Sequence, residues 1–147
     1  MKTHGILHNE LAGAIARVGH GDMIVITDRG FPFPRHDMTE CIDVSVGRGL
    51  PGVVDVVKVI LEELEIEKVL IAEETKTACP EVYGEFKEII AKIDNKGNAI
   101  VEENIPHPEF KDLVLNGALE GKEVKVFVKT GEFTPFANII LVSGVDF

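Results

Sequence analysis

Short apolar runs alternate along this chain with longer segments of helical periodicity. The run Met23–Thr27 (MIVIT) has the length and the branched residues that are typical of a buried strand. Similar apolar runs recur downstream and predict further strands. These predicted strands are residues 42–46, 68–72, 99–101, 125–128 and 138–142.

Four helices are predicted, one before the first strand and three between later strands. Asn9 is a suitable N-cap for the first helix, which Gly19 is placed to end. Pro51 and Pro80 each suit the first position of a helix with an apolar face, and residues 108–115 form a short fourth helix. Because strands alternate with helices, we predict one α/β domain over residues 1–147. Its expected architecture is three-layer α/β/α, with a mostly parallel sheet of about six strands.

The net charge restricts the partners of the protein. The chain has 147 residues, 45% hydrophobic and 27% charged, which is ordinary for a soluble globular domain. Its 25 acidic and 15 basic residues give a net charge of -10. Nucleic acids and anionic membranes bind positively charged surfaces, so we expect neither as a partner. A small neutral molecule would meet no such repulsion.

The start of the chain and its cysteines indicate the compartment. The first apolar segment is interrupted by His8, Asn9 and Glu10, which is typical of neither a secretory signal nor a membrane span. Cys41 and Cys79 lie far apart and form no CxxC motif, so we expect two reduced cysteines. These features favour a cytoplasmic protein.

Residues 47–52 (GRGLPG) match the GxGxxG pattern of dinucleotide sites, in which backbone amides approach a pyrophosphate. Pro51 removes one of those amides, Asp43 lies on the preceding strand, and little chain remains for a substrate domain. Glycine and proline also suit any tight turn from a strand to a helix. We therefore favour a structural turn and keep nucleotide binding as a weaker alternative.

His20 is the histidine best placed for chemistry. None of the five histidines stands at a ligand spacing such as HxH or HExxH, so no metal site is predicted. His20 lies between two glycines, before a strand that ends at Asp28, and active-site residues of parallel sheets gather on loops at strand ends. Imidazole exchanges protons near neutral pH, which makes His20 a candidate acid/base group.

Asp28 alone indicates a turn, and residues 130–138 (TGEFTPFAN) indicate a hairpin connection between two apolar strands.

Five further segments stand out in order along the chain: RVGHGD at 17–22, VITDRGFPFP at 25–34, IAEE at 71–74, HPEF at 107–110 and TGEFTPFANIILVSGVDF at 130–147. Taken together, they resemble the RbsD/FucU family of ribose pyranases and fucose mutarotases. Their order and spacing extend over nearly the whole chain, which is therefore identified as a member of the family.

The resemblance implies roles for particular residues. His20 matches the catalytic proton donor of the family, and Asp28 and His107 match substrate-binding positions. Phe136, Ala137 and Asn138 match its sugar-binding tripeptide. The implied reaction is general acid/base opening of a monosaccharide ring, which interconverts pyranose and furanose forms or anomers and needs no cofactor. Family members form homo-oligomers, commonly decamers of two five-membered rings, with the sugar near subunit contacts.

Two positions bear on the substrate. His107 favours the ribose branch, because arginine is associated with that position in the fucose branch. Phe136 departs from the family, where tyrosine usually begins the tripeptide. D-ribose is therefore the expected substrate, with an L-fucose-type mutarotase and a non-catalytic sugar-binding protein as alternatives.

The paired acids Glu73 and Glu74, at the end of a predicted strand, favour a subunit contact.

Overall fold

The hydrophobic pattern of the sequence corresponds to five helices and seven strands in the described part of the chain. The computed structural model describes residues 1–35, 37–93, 99–116, 118–119 and 122–147. In chain order the elements are α1 (Asn9–Ile15), β1 (Met23–Thr27), β2 (Glu40–Asp43), α2 (Val53–Leu61), β3 (Ile66–Ala72), α3 (Glu73–Ala78), α4 (Pro80–Ala91), β4 (Val101–Ile105), α5 (His107–Asn116), β5 (Ala118–Leu119), β6 (Lys122–Lys129) and β7 (Ile139–Ser143).

Six strands form the main sheet in the order β2-β6-β1-β7-β3-β4, and β5 pairs antiparallel with the start of β6. Within these six strands, neighbouring strands are parallel except at β7, which runs antiparallel to β1 and β3. This confirms the predicted mostly parallel sheet. We call the edge where β1, β3, β4 and β6 end and β7 begins the carboxyl edge. The opposite edge is the amino edge.

Helices cover both faces of the sheet, as predicted for a three-layer α/β/α domain. Successive side chains of a strand point to opposite faces. Ile24 and Ile26 of β1 pack in one core with residues of α1, α2 and α4. Met23 and Val25 pack in the other core with Phe110 of α5. Among the described residues, no helix is long and apolar enough to cross a lipid bilayer.

Several element boundaries differ from the predictions. His8, not Asn9, caps α1, because its Nδ1 accepts a hydrogen bond from the Leu11 amide at 3.3 Å. That helix ends at Ile15 and does not continue to Gly19. The strand predicted at 42–46 is residues 40–43, and the one predicted at 99–101 is residues 101–105. The short elements α3 and β5 were not predicted. In contrast, α4 begins at Pro80, as expected.

Residues 130–138 do not connect a hairpin, which corrects the prediction made from their position between two apolar strands. Strands β6 and β7 are not neighbours, because β1 lies between them. The connection therefore crosses the end of β1, where the Thr130 amide donates to the Thr27 carbonyl at 3.1 Å. This crossing brings residues 130–138 over the carboxyl edge.

The glycine-rich turn at residues 47–52 packs against this crossing connection. The Gly49 amide donates to the Gly131 carbonyl at 2.6 Å, and the Gly131 amide donates to the Pro51 carbonyl at 2.9 Å. The first amide of α2, that of Val53, donates to Glu132 Oε2 at 3.4 Å. A carboxylate thus occupies the position that a phosphate would take, which favours the structural turn over nucleotide binding.

Candidate functional site

A cavity of about 380 Å³ opens at the carboxyl edge, between the loop after β1, the start of α5 and the connection that crosses β1. Its walls combine aromatic rings with a few ionisable side chains, as is usual for small-molecule sites. The lining residues are Asp28, Arg29, Gly30, Phe31, Pro32, His107, Lys111, Glu132, Phe133, Pro135 and Phe136.

Asp28 and Asn138 form a reciprocal pair at the floor of this cavity. Asp28 directly follows β1 and Asn138 directly precedes β7, and because these strands are antiparallel neighbours the two residues face each other. The Asp28 amide donates to Asn138 Oδ1 at 2.8 Å, and Asn138 Nδ2 donates to Asp28 Oδ2 at 3.0 Å. Asn138 is fully buried and Asp28 is 8% exposed. The pair therefore fixes the loop after β1 to the loop before β7.

Backbone amides complete the environment of the Asp28 carboxylate. Oδ1 accepts hydrogen bonds from the amides of Gly30 at 2.9 Å and Phe31 at 3.0 Å. Burial raises the pKa of Asp28, and the hydrogen bonds from Asn138 and these amides oppose that rise. With Asn138 Nδ2, these amides give the carboxylate three donors, which leaves one of its roughly four acceptor positions for a ligand. The carboxylate is thus rigidly held beside the cavity.

Phe136 presents its ring to the cavity from an unusual backbone conformation. Its φ is 66°, a left-handed value that costs a non-glycine residue about 1–3 kcal/mol. Its carbonyl accepts hydrogen bonds from Thr75 Oγ1 at 2.7 Å and from the Asn138 amide at 2.9 Å. These contacts hold the strained residue in place. Ala137, the middle residue of the tripeptide, is fully buried and packs in the core below.

His107 brings an imidazole to the cavity wall at the start of α5. Its amide donates to Glu74 Oε2 at 2.7 Å, which gives Glu74 a role within the chain. Its ring meets the Phe136 ring edge-on at a centroid distance of 4.9 Å. Among the described residues, its Nδ1 is buried and has no hydrogen-bond partner. The His107 residue as a whole belongs to the lining of the cavity, so its imidazole can contact a ligand there.

Lys111 and Glu132 also line the cavity, although neither was predicted. Lys111 follows His107 by four residues on α5, a spacing that places two side chains on one helix face and could have indicated it. Glu132 Oε1 accepts hydrogen bonds from the amide and hydroxyl of Thr134. Burial alone would raise the pKa of Glu132, but the hydrogen bonds it accepts outweigh burial and lower that pKa.

His20 lies at the amino edge, away from every other candidate. It precedes β1, whereas Asp28 follows it, and the five residues of β1 separate the two edges by about 16 Å. Its Nε2 contacts Glu67 Oε2, at the start of β3, at 3.0 Å. One copy of the chain therefore brings together Asp28, His107, Phe136 and Asn138, but not His20. No three metal-binding side chains cluster among the residues described.

Solved structures with the same fold include two sugar complexes. Bacillus subtilis RbsD complexed with D-ribose matches with a TM-score of 0.83 and 39% identity, over 100% of both chains. The fucose mutarotase of Streptococcus pneumoniae in complex with L-fucose matches with a TM-score of 0.75 over 100% of both chains. Its identity is 19%, so this second likeness concerns the fold alone.

Sequence relatives define the family. The profile described as the RbsD / FucU transport protein family matches residues 1–146. A D-ribose pyranase of Clostridium perfringens is 43% identical over 147 residues, which covers 100% of this chain and 100% of that protein. The chain belongs to the RbsD / FucU family, which confirms the resemblance found in its motifs.

Proposed function

We propose that the protein is an isomerase that interconverts the pyranose and furanose forms, and the anomers, of free D-ribose. The observation that carries this proposal is the cavity at the carboxyl edge, which is lined by the His107 imidazole, the Phe136 ring and Asp28. An aromatic wall with a few fixed polar groups suits a neutral monosaccharide. The D-ribose pyranase relatives at about 40% identity over their full length support the same substrate.

The reaction needs one base and one acid. The base removes the proton of the anomeric hydroxyl, the C1–O bond to the ring oxygen breaks as a carbonyl forms, and the acid protonates the ring oxygen. Attack on the carbonyl by the same or another hydroxyl reverses these steps and closes a new ring. No electrons are gained or lost, and positioned acid/base groups contribute about 10²–10⁴-fold in rate.

The contacts favour a division of roles. His107 is proposed to accept the anomeric proton, because its imidazole lines the cavity and can act as a base. Three fixed donors orient the Asp28 carboxylate and leave it one acceptor position, so its proposed role is to bind and orient the sugar together with Asn138. The Phe136 ring provides a surface for the sugar, and Ala137 completes the binding tripeptide. His20 is proposed as the acid that protonates the ring oxygen.

His20 must then come from a second copy of the chain. Large apolar side chains are exposed beside both edges: Leu50 and Phe133 beside the cavity, and Val145 and Phe147 near Glu67. Exposed apolar patches of this kind are typical of protein interfaces. Contacts between two different edges can repeat head-to-tail from copy to copy, and they close into a ring when the rotation permits. We therefore propose a ring-type homo-oligomer, and a decamer as its full assembly.

The other expectations extend this proposal. The partner is a small neutral monosaccharide, in keeping with the net charge of -10, and neither nucleic acid nor a membrane is proposed. We propose that the protein works in the cytoplasm without a cofactor. The thiols of Cys41 and Cys79 are both free, which suits a reducing compartment.

Saturation-transfer NMR on D-ribose tests the proposal, since it measures exchange between named ring forms. We expect the wild type to catalyse this exchange. The folded His20→Ala and Asp28→Asn variants should each lose most of the exchange rate. When these two variants are unfolded together and refolded as mixed oligomers, about a quarter of the sites regain His20 from one copy and Asp28 from the other. The rate should recover to that extent.

Four outcomes would contradict parts of this proposal. Near wild-type exchange by His20→Ala would remove His20 from the reaction. A lack of recovery in the mixed oligomers would exclude a site shared between copies. Ribose binding without exchange would favour the non-catalytic sugar-binding alternative, and faster exchange on L-fucose than on D-ribose would favour the mutarotase alternative.

A further inference from the structure

We propose that Glu67 is the positioning residue for His20, and that it selects Nδ1 as the nitrogen that transfers the proton. This inference rests on the proposed function. Glu67 Oε2 lies 3.0 Å from His20 Nε2. A carboxylate only accepts hydrogen bonds, so Nε2 must carry the hydrogen of this contact. Nδ1 is then the ring nitrogen that does not bind Glu67 and can face the sugar.

The backbone around His20 is tied to the strand that bears Glu67. Before His20, the Gly19 amide donates to Asp22 Oδ2 at 2.8 Å, and after it the Gly21 amide donates to the Ser143 carbonyl at 2.9 Å. Gly21 has a φ of 83°, which glycine adopts without strain. The amide of Gly144, the residue directly after β7, donates to the Glu65 carbonyl at 2.9 Å. The end of β7 thus holds the His20 loop and the start of β3 in a fixed relation.

The pair contributes little to folding of a single chain. The side chain of His20 is 57% exposed and that of Glu67 is 40% exposed. Ion pairs this exposed to water add little stability. An imidazole that is oriented by a carboxylate and yet accessible at an edge is suited to act on a molecule outside its own chain. This matches the requirement that His20 serves the cavity of another copy.

The carboxylate has two effects on proton transfer. It holds the ring in one orientation, as acidic partners of catalytic histidines do. It also stabilises the positive charge that the imidazole bears when protonated, before Nδ1 gives its proton to the ring oxygen. Replacement of Glu67 by glutamine keeps the shape but loses the charge and admits the other tautomer, because an amide can donate to Nε2.

The kinetic test compares Glu67→Gln with Glu103→Gln. Glu103 pairs with Lys68 at 2.9 Å and has a similarly exposed side chain, so it is a matched control. We expect Glu67→Gln to lower kcat for ribose about 10- to 100-fold while KM changes about twofold or less. Glu67→Asp, which keeps the charge, should retain more activity. In a His20→Ala background, Glu67→Gln should cause no further loss. Thermal unfolding should match the control.

A spectroscopic test needs no substrate. The ring ¹⁵N shifts of His20 should report the Nε2–H tautomer of the neutral ring in the wild type, and a mixture of tautomers in Glu67→Gln. A dominant Nδ1–H tautomer in the wild type would overturn the inference. Full kcat in Glu67→Gln, with an active wild type, would overturn this role alone. Absence of ribose exchange by the wild type would overturn the proposed function and this role with it.

Discussion

Replacing Asn138 by aspartate tests whether the Asp28–Asn138 pair is the fixed point of the site. The substitution exchanges an amide for a carboxyl group of the same shape. It removes the donor that Asn138 Nδ2 directs at Asp28 Oδ2 over 3.0 Å. When both residues are ionised, two carboxylates face each other in a position where Asn138 is fully buried in the wild type. Such a pair does not hold two negative charges readily, so it retains one proton to a higher pH.

The sign of the pH dependence follows from linkage. A carboxyl group whose pKa in the folded protein is raised above its unfolded value contributes stability that is fully present below the unfolded pKa. That stability is lost as the pH rises through the folded pKa. Burial already raises the pKa of Asp28 in the wild type. The wild type and the Asn138→Asp variant therefore both lose stability as the pH rises, and the variant loses more.

The expected magnitude differs between the two ends of the pH range. Near pH 4 the retained proton replaces the amide donor, and Asn138→Asp costs less than about 1 kcal/mol. Near pH 8 an uncompensated buried charge costs about 3–5 kcal/mol. For a chain of this length that loss lowers the Tm by about 10–15 °C.

The assay is thermal unfolding of the wild type and two variants near pH 4 and near pH 8. Asn116→Asp is the control, because Asn116 Nδ2 donates to Asp112 Oδ1 at 2.6 Å in the same way but at an exposed position on α5. In water, two like charges one helical turn apart cost a few tenths of a kcal/mol. Equal losses for Asn138→Asp at both pH values, or losses no larger than those of the control, would refute the reasoning.

Two further variants test the cavity wall and the crossing connection. Phe136→Tyr adds a hydroxyl beside the sugar, and a net hydrogen bond of about 0.5–1.5 kcal/mol should improve ribose exchange or binding by at most roughly tenfold; a clear loss of exchange would instead count against ribose as the substrate. Gly131→Ala should destabilise the fold by about 1–3 kcal/mol, because a Cβ there would lie 2.5 Å from the Gly47 carbonyl oxygen. Gly84→Ala, at an open position in α4, should stabilise by about 0.5–1 kcal/mol, and equal unfolding midpoints for the two alanine variants would contradict the packing argument.

The inner strands β1 and β7 could be predicted from sequence because they are continuous apolar runs. The edge strands β2 (ECID) and β4 (VEENI) are largely polar, and their predicted bounds were shifted. The direction of β7 could not be predicted this way. Strands that are buried on both faces show no alternation, so a parallel and an antiparallel strand have the same hydrophobic pattern. The hairpin predicted for residues 130–138 was wrong for a different reason: β6 and β7 do run in opposite directions, but nothing local indicates that β1 lies between them.

The site residues that depend on a partner far away in the sequence could not be predicted from local pattern either. Asp28 by itself indicated only a turn, because the partner that gives it a role is Asn138, 110 positions away. Glu67 had no signal at all, since it meets His20 across 47 positions of sequence. The motif resemblance identified Asp28, His107 and Asn138 as one group, and the structure brings them to one edge. It brings His20 to the other.

The position of His20 relative to Asp28 has a physical consequence for catalysis. Both residues flank β1, and β1 is a fully buried strand whose five residues are fixed by pairing with β6 and β7. Rotation of side chains cannot close a gap of about 16 Å between the two ends of such a strand. If both groups take part in one reaction, they do so from different copies, and each copy both gives a histidine and receives one. A closed ring meets that requirement for every copy, as a two-fold symmetric dimer also does, whereas an open head-to-tail dimer meets it for only one of its two sites.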